Sequence, residues 1–100
     1  MAYVSQVGSV RLIQPYHELD LSIADDNDVC CPDDETAEEM TELIRNARKQ
    51  GDTVGGVITG IVRGCPPGLG EPVYDKLEAD LGKAMLSINA AKGVSIGSGF

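Results

Sequence analysis

The sequence predicts an α+β fold in which two helices cover a sheet, in the order strand, loop, helix, strand, helix, strand. Two stretches with helical spacing of apolar residues alternate with segments rich in β-branched residues, and this alternation carries the prediction. With 100 residues, 42% of them hydrophobic, the chain has the size and composition of one globular domain with a modest core.

The first strand is predicted over residues 2–13, where Tyr, Val, Leu and Ile are frequent. Gln14 and Pro15 end it. Residues 14–34 follow as a long acidic loop interrupted by Pro15 and Pro32, with a short helical turn over residues 17–24.

The first helix is predicted to begin at Pro32-Asp33-Asp34, because an aspartate at this position caps free backbone N–H groups. It ends at Gly51. Acidic residues in its first turns and basic residues in its last turns complement the helix dipole. One face carries apolar residues at helical spacing and is expected to be buried, namely Met40, Leu43, Ile44 and Ala47.

The second half of the chain begins with a β-branched segment, residues 54–63, whose two faces are both apolar enough to predict an internal strand. A rigid turn over Gly64–Gly70 follows. The next helix is expected to begin at Glu71-Pro72, because proline is favoured in a first helical turn. Its predicted buried face consists of Leu77, Leu81, Ala84, Met85 and Ile88. Val94 and Ile96 predict a last short strand.

Charge excludes some partners. The net charge is −8, and eleven of the sixteen acidic residues lie between Glu18 and Glu42, where there is no Lys or Arg. Nucleic acid and anionic membranes are therefore not expected to bind. No apolar stretch approaches the roughly 20 residues that span a bilayer, and residues 1–10 lack a basic region followed by an apolar one, so a cytoplasmic protein is predicted.

A divalent metal site at Asp25, Asp26 and Asp28 is one alternative, because hard cations prefer several oxygen ligands. The central glycine and terminal glutamate of an EF-hand loop are absent at the required offsets, which favours a solvated acidic loop. Cys30, Cys31 and Cys65 are expected to be reduced thiols, since zinc would require more ligands than these and the single histidine, His17. His17 could act as a general base, but no nucleophile accompanies it, which favours a surface residue.

Glycine is distributed unevenly: eleven of the twelve glycines lie at Gly51 or beyond. The junction Ser87–Gly93 is small and polar, so it exposes backbone groups, while Asn89 and Lys92 offer donors to an anionic or heteroaromatic ligand. The alternative is a helix C-terminus closed by Gly93. The turn at Gly64–Gly70 lacks the Lys-Ser/Thr of a phosphate-binding loop and is interpreted as structural.

Four segments together resemble the chorismate synthases, namely Gly51-Asp52-Thr53-Val54-Gly55-Gly56, Gly68-Leu69-Gly70-Glu71-Pro72-Val73-Tyr74-Asp75-Lys76-Leu77, Ala84-Met85-Leu86-Ser87-Ile88-Asn89-Ala90-Ala91-Lys92-Gly93 and Ile96-Gly97-Ser98-Gly99-Phe100. The match runs almost without gaps from Gly51 onward. It extends more loosely through the helix that precedes Gly51 and is weak before that helix.

The resemblance implies a cytosolic lyase of aromatic amino acid biosynthesis. Such enzymes remove phosphate from 5-enolpyruvylshikimate 3-phosphate in a 1,4 elimination that requires reduced FMN. The family fold is a β-α-β sandwich that assembles as a homotetramer. Asn89 and Ala90 match a pair that contacts FMN, and relatives can carry proline at the position of Asn89. The role of Lys92 stays open, as does an NADP-linked flavin reductase activity.

The resemblance also implies that catalytic residues lie elsewhere. The family's two catalytic histidines, its serines and its substrate-binding arginines lie in segments before and after this one, and His17 matches neither histidine motif. We therefore expect residues 1–100 to be one partial domain, an internal segment of the longer enzyme, inactive alone. The alternative is a freestanding acidic binding module without catalysis.

Overall fold

A computed structural model describes residues 1–99. The chain divides into two compact units, Met1–Arg63 and a second that begins at Gly64. The first unit contains strands β1 (Ala2–Val7), β2 (Val10–Arg11) and β3 (Gly56–Gly60), helix α1 (Asp34–Lys49) and two short 3-10 helices, Tyr16–Glu18 and Leu21–Asp26. The second contains helix α2 (Leu77–Leu86). The predicted α+β class is confirmed, whereas a single domain over residues 1–100 stays a prediction.

The sheet is antiparallel, with strand order β2-β1-β3. The single first strand predicted over residues 2–13 is wrong, because the chain reverses at Gly8 and Ser9 to form a hairpin. Gly8 has a φ of +56°, which suits the first central position of a type II′ hairpin turn. A Cβ there would lie 2.8 Å from side-chain atoms of Leu43 and Val54. The turn therefore requires glycine for its backbone conformation and for its packing.

Strand β3 was predicted to be internal, and this is wrong within the described residues. It pairs with β1 on one side only and forms an edge of the sheet. Val57 is 48% exposed and Ile58 is 72% exposed, so each face leaves an apolar side chain exposed. Apolar residues on both faces predict two covering layers, and residues 1–63 leave apolar side chains exposed on each face of β3.

Helix α1 begins and ends close to the predicted residues. Asp33 is its N-cap and accepts a 3.1 Å hydrogen bond from the N–H of Thr36. Of the predicted apolar face, Met40 is fully buried, whereas Ile44 is partly exposed. The helix packs against β1 and β2. The core is small and unites the sheet, the helix and the acidic loop, with Tyr3, Val7, Leu12, Ala24, Cys31, Ala37 and Met40 as its buried members.

The acidic loop, including the predicted helical turn, is anchored to the core through Asn27. The Asn27 side chain accepts a 3.1 Å hydrogen bond from the N–H of Cys31 and donates a 2.7 Å hydrogen bond to the Cys31 carbonyl. The carbonyl of Cys30 accepts a 2.9 Å hydrogen bond from the N–H of Val4 in β1. The Asn27 side chain thus holds the backbone of Cys31, and the neighbouring Cys30 carbonyl bonds the end of this loop to the sheet.

We expect Asn27→Ala to lower the free energy of unfolding of the chain by about 2 kcal/mol, because both backbone groups of the buried Cys31 lose their partner. Urea denaturation followed by tyrosine fluorescence measures this loss. The matched control is Asn46→Ala on the exposed face of α1, where a change below about 0.5 kcal/mol is expected. Equal losses in the two variants would contradict the anchoring role of Asn27.

The structure of the second unit differs most from the elements predicted from the sequence. Helix α2 begins at Leu77, not at Glu71-Pro72. Pro72 instead starts a turn, in which the N–H of Asp75 donates a 3.1 Å hydrogen bond to the Pro72 carbonyl. The apolar face predicted to be buried is exposed along its length; Leu81 is 36% exposed and Ile88 is 59% exposed. No last strand forms at Val94–Ile96 within the described chain, since a strand requires a hydrogen-bonded neighbour.

Candidate functional site: the turn after helix α2

The end of α2 continues directly into a tight turn. Ser87 is the C-cap of α2, and its N–H donates to the carbonyls of Lys83 and Ala84 at 3.1 and 3.2 Å. The N–H of Ile88 donates to the Met85 carbonyl at 3.1 Å. The Ile88 carbonyl then accepts a 3.1 Å hydrogen bond from the N–H of Ala91, which closes a β-turn with Asn89 and Ala90 at its centre.

Ala90 is the residue of this turn with an unusual backbone conformation. Its φ is +69°, while Asn89 keeps a negative φ, and this combination is that of a type II turn. Type II turns favour glycine at the position of Ala90 and proline at that of Asn89. For alanine the left-handed conformation costs roughly 1–2 kcal/mol. Such strain persists where neighbouring bonds enforce it, and it is frequent at ligand sites.

The exposed turn contains hydrogen-bond donors without a partner in the described part of the chain. Within residues 1–99, the backbone N–H groups of Asn89 and Ala90 donate no hydrogen bond, and the Asn89 carboxamide has no partner. Asn89, Ala90 and Lys92 are all exposed. The two residues predicted to contact a ligand therefore share one exposed turn, with Lys92 two residues further on.

Electrostatics constrain what the turn can hold. It follows the C-terminal end of α2, where the helix dipole places partial negative charge. The second unit carries three lysines and four acidic residues, so it provides no excess of positive charge. An anionic phosphate is disfavoured at this position, whereas the uncharged edge of a heteroaromatic ring can accept hydrogen bonds from both N–H groups.

The alternative in which Gly93 closes the helix is wrong, because α2 ends at Leu86 and Gly93 does not adopt a positive φ. Within the junction 87–93, the residue with left-handed backbone is Ala90. Apolar and polar periodicity does not reveal such a residue, since alanine is a good helix former and carries no turn signal. The resemblance to a known family was the signal that located it.

The structure gives less support to the candidate site residues of the first unit. His17 is exposed, and its ring lies edge-on against Tyr16 with centroids 5.6 Å apart. It borders an open groove of about 620 Å³ to which Asp20 and Arg63 also contribute. Hydrogen bonds from Ser22 lower the pKa of Asp20, which stabilises the charged carboxylate. Ser22 also lines this groove, but its hydroxyl donates to the Asp20 carboxylate at 2.6 Å, and no hydrogen bond joins it to His17 among the described residues.

The cysteines and the acidic loop form no metal centre in the described part of the chain. Cys30 and Cys65 are exposed free thiols, and Cys31 is a buried one. Burial raises the pKa of the Cys31 thiol, which keeps it protonated near neutrality. Among residues 1–99, no group of three or more His, Cys, Asp or Glu side chains is arranged to hold a metal ion. The aspartates of the metal alternative, Asp25, Asp26 and Asp28, are exposed and lie in no such group.

Within residues 1–99, no helix combines the length and the apolar character needed to cross a bilayer.

Comparisons with known proteins identify a family. A family model described as chorismate synthase matches residues 1–100. The chorismate synthases of Flavobacterium psychrophilum, Phocaeicola vulgatus and Bacteroides thetaiotaomicron are 57%, 56% and 54% identical over 99 residues. Each alignment covers 99% of this chain and 28% of the relative, so the chain spans little more than a quarter of the length of these proteins.

Proposed function

Since the chain belongs to the chorismate synthase family, we propose that the turn over residues 88–91 forms one wall of a reduced-FMN site, with Asn89 and Ala90 contacting the flavin. The observation that carries the proposal is the left-handed backbone of Ala90. In this turn, the two consecutive N–H groups of Asn89 and Ala90 have no hydrogen-bond partner among the described residues. The exposed carboxamide of Asn89 adds a further donor and acceptor at the same place.

The residues of the turn fit the ring of FMN better than its phosphate. A flavin ring presents carbonyl oxygens and ring nitrogens along its edge, and these accept hydrogen bonds from backbone N–H groups. The small side chain of Ala90 permits close approach of a planar ring. The negative end of the α2 dipole opposes a phosphate group at this position. When bound, reduced FMN supplies an electron-rich ring beside the substrate, and the turn binds and orients that ring.

The proposed activity of the whole enzyme is the 1,4 elimination of phosphate from 5-enolpyruvylshikimate 3-phosphate to give chorismate, in a cytoplasmic homotetramer. We assign no catalytic residue to this chain. The substrate and FMN are both polyanions, and arginine or lysine clamps bind such groups. A chain with a net charge of −8 and eight scattered bases does not provide these clamps alone. Its contribution is the flavin-facing turn and the surrounding scaffold.

A hybrid enzyme tests this function directly. In it, this chain replaces the aligned 99 residues of the Flavobacterium psychrophilum relative, with which it shares 57% identity. We expect the hybrid to form chorismate within about tenfold of the parental rate, and the chain alone to form none. A hybrid that folds and binds the substrate but forms no chorismate would favour the freestanding binding module. Micromolar FMN binding with normal turnover by the chain alone would also overturn the proposal.

Ala90→Val in the hybrid enzyme is expected to weaken reduced-FMN binding by about tenfold or more. A β-branched side chain resists positive φ more strongly than alanine, so the turn loses the conformation that exposes its N–H groups. Anaerobic titration with reduced FMN measures the change. Ala90→Gly is the matched control, because glycine adopts this backbone without strain and should bind within about threefold of the parent. Unchanged binding by Ala90→Val would remove this turn from the flavin site.

A further inference from the structure

Ser87 joins helix α2 to the turn through two donors. Its hydroxyl donates a 2.6 Å hydrogen bond to the carbonyl of Lys83, the same carbonyl that accepts its N–H at 3.1 Å. The last carbonyls of a helix lack intrahelical partners, so side chains near the end can determine how the chain leaves the helix. Over residues 77–99, no other side chain makes a hydrogen bond.

Backbone hydrogen bonds after Ser87 connect the end of α2 to the turn. Ile88 is bonded back to Met85 through its N–H and forward to Ala91 through its carbonyl, each at 3.1 Å. Two residues beyond Ser87, Asn89 begins the pair of unpartnered N–H groups. A change in the backbone direction at Ser87 therefore reorients both of these N–H groups. The strained φ of Ala90 makes the turn dependent on such neighbouring restraints.

We infer that Ser87 is a positioning residue for the flavin: its hydroxyl bond to the Lys83 carbonyl sets the direction in which the Asn89 and Ala90 N–H groups point. This inference rests on the proposed function of the turn. Ser87 itself need not touch the cofactor. Orientation matters because a small misplacement of a donor weakens a hydrogen bond steeply.

Ser87→Ala in the hybrid enzyme is the test. We expect reduced-FMN binding to weaken about three- to tenfold, because one hydrogen bond that holds the turn is lost. The absorbance spectrum of the bound flavin should shift, since its hydrogen bonds to the turn change. Ser87→Thr keeps a hydroxyl that can donate to the same carbonyl and should restore both binding and spectrum. Ser95→Ala is the matched control, an exposed serine of the same unit without a hydrogen bond among the described residues.

The outcomes separate this inference from the proposed function. A lower melting temperature for Ser87→Ala, with unchanged binding and an unchanged flavin spectrum, would show a structural role only and overturn the inference. Failure of Ser87→Thr to restore binding would also overturn it. If Ala90→Val weakens binding and Ser87→Ala does not, the inference alone fails. If neither variant affects binding, the proposed function fails with it.

Discussion

Met40→Ala is expected to unfold most of the first unit at 25 °C. The Met40 side chain is fully buried within the core that joins α1 to the sheet. Truncation of a buried methionine costs about 2–5 kcal/mol, because apolar contacts are lost and a cavity remains. A core of seven buried residues in a unit of this size supplies only a few kcal/mol in total. The loss therefore matches the whole stability of the unit.

Circular dichroism and urea denaturation of the chain measure this effect. Ile44→Ala is the matched control on the same helix, because Ile44 is 39% exposed and should cost about 1 kcal/mol or less. Met40→Leu keeps the volume and should cost less than about 1.5 kcal/mol. A Met40→Ala variant as stable as Ile44→Ala would show that the core does not depend on this side chain.

Gly70→Ala is expected to displace the start of α2. Gly70 has a φ of +78°, and a Cβ there would clash with the backbone nitrogen of Leu77. Because the obstructing atoms belong to the backbone, they cannot move aside as a flexible side chain would. Left-handed strain and overpacking together cost about 2–5 kcal/mol. Amide hydrogen exchange over Leu77–Leu86 should accelerate by more than tenfold.

Gly68→Ala separates the two causes. Gly68 also has a positive φ, +91°, but a Cβ there would meet no atom within 4 Å. It should incur the left-handed strain alone, about 1–2 kcal/mol, and leave exchange in α2 nearly unchanged. If both variants accelerate exchange equally, close approach of Gly70 to Leu77 does not support the helix.

Helix α1 shows what local sequence predicts well. Its N-cap at Asp33, its length and its dipole-complementing charges follow from interactions within a few residues. The burial of Met40 followed from helical periodicity. Local sequence also contained the signal for the hairpin, since Gly8-Ser9 between apolar residues is a two-residue turn, but imperfect alternation hid it within one long predicted strand.

In the second unit, helical periodicity predicted more burial than the structure shows. Leu77, Leu81 and Met85 lie on one face of α2, as expected, yet the described residues of the unit leave that face exposed. Amphipathic spacing specifies which residues prefer burial, and burial requires a second apolar surface that residues 64–99 do not provide. The same reasoning applies to β3, whose apolar faces predicted an internal strand although it pairs on one side.

The sequence likewise predicted only part of the candidate site. Residue types alone identified the small, glycine-ended junction at Ser87–Gly93, and the family resemblance selected Asn89 and Ala90 within it. The left-handed φ of Ala90 and the bond of Ser87 to Lys83 appeared only in three dimensions. Capping, charge and periodicity are local properties, so the chain encodes them residue by residue. The φ of Ala90 is held by hydrogen bonds between near neighbours, but alanine carries no turn signal that would reveal it. Strand partners and covered faces depend on atoms distant in sequence, and tertiary packing therefore determines them.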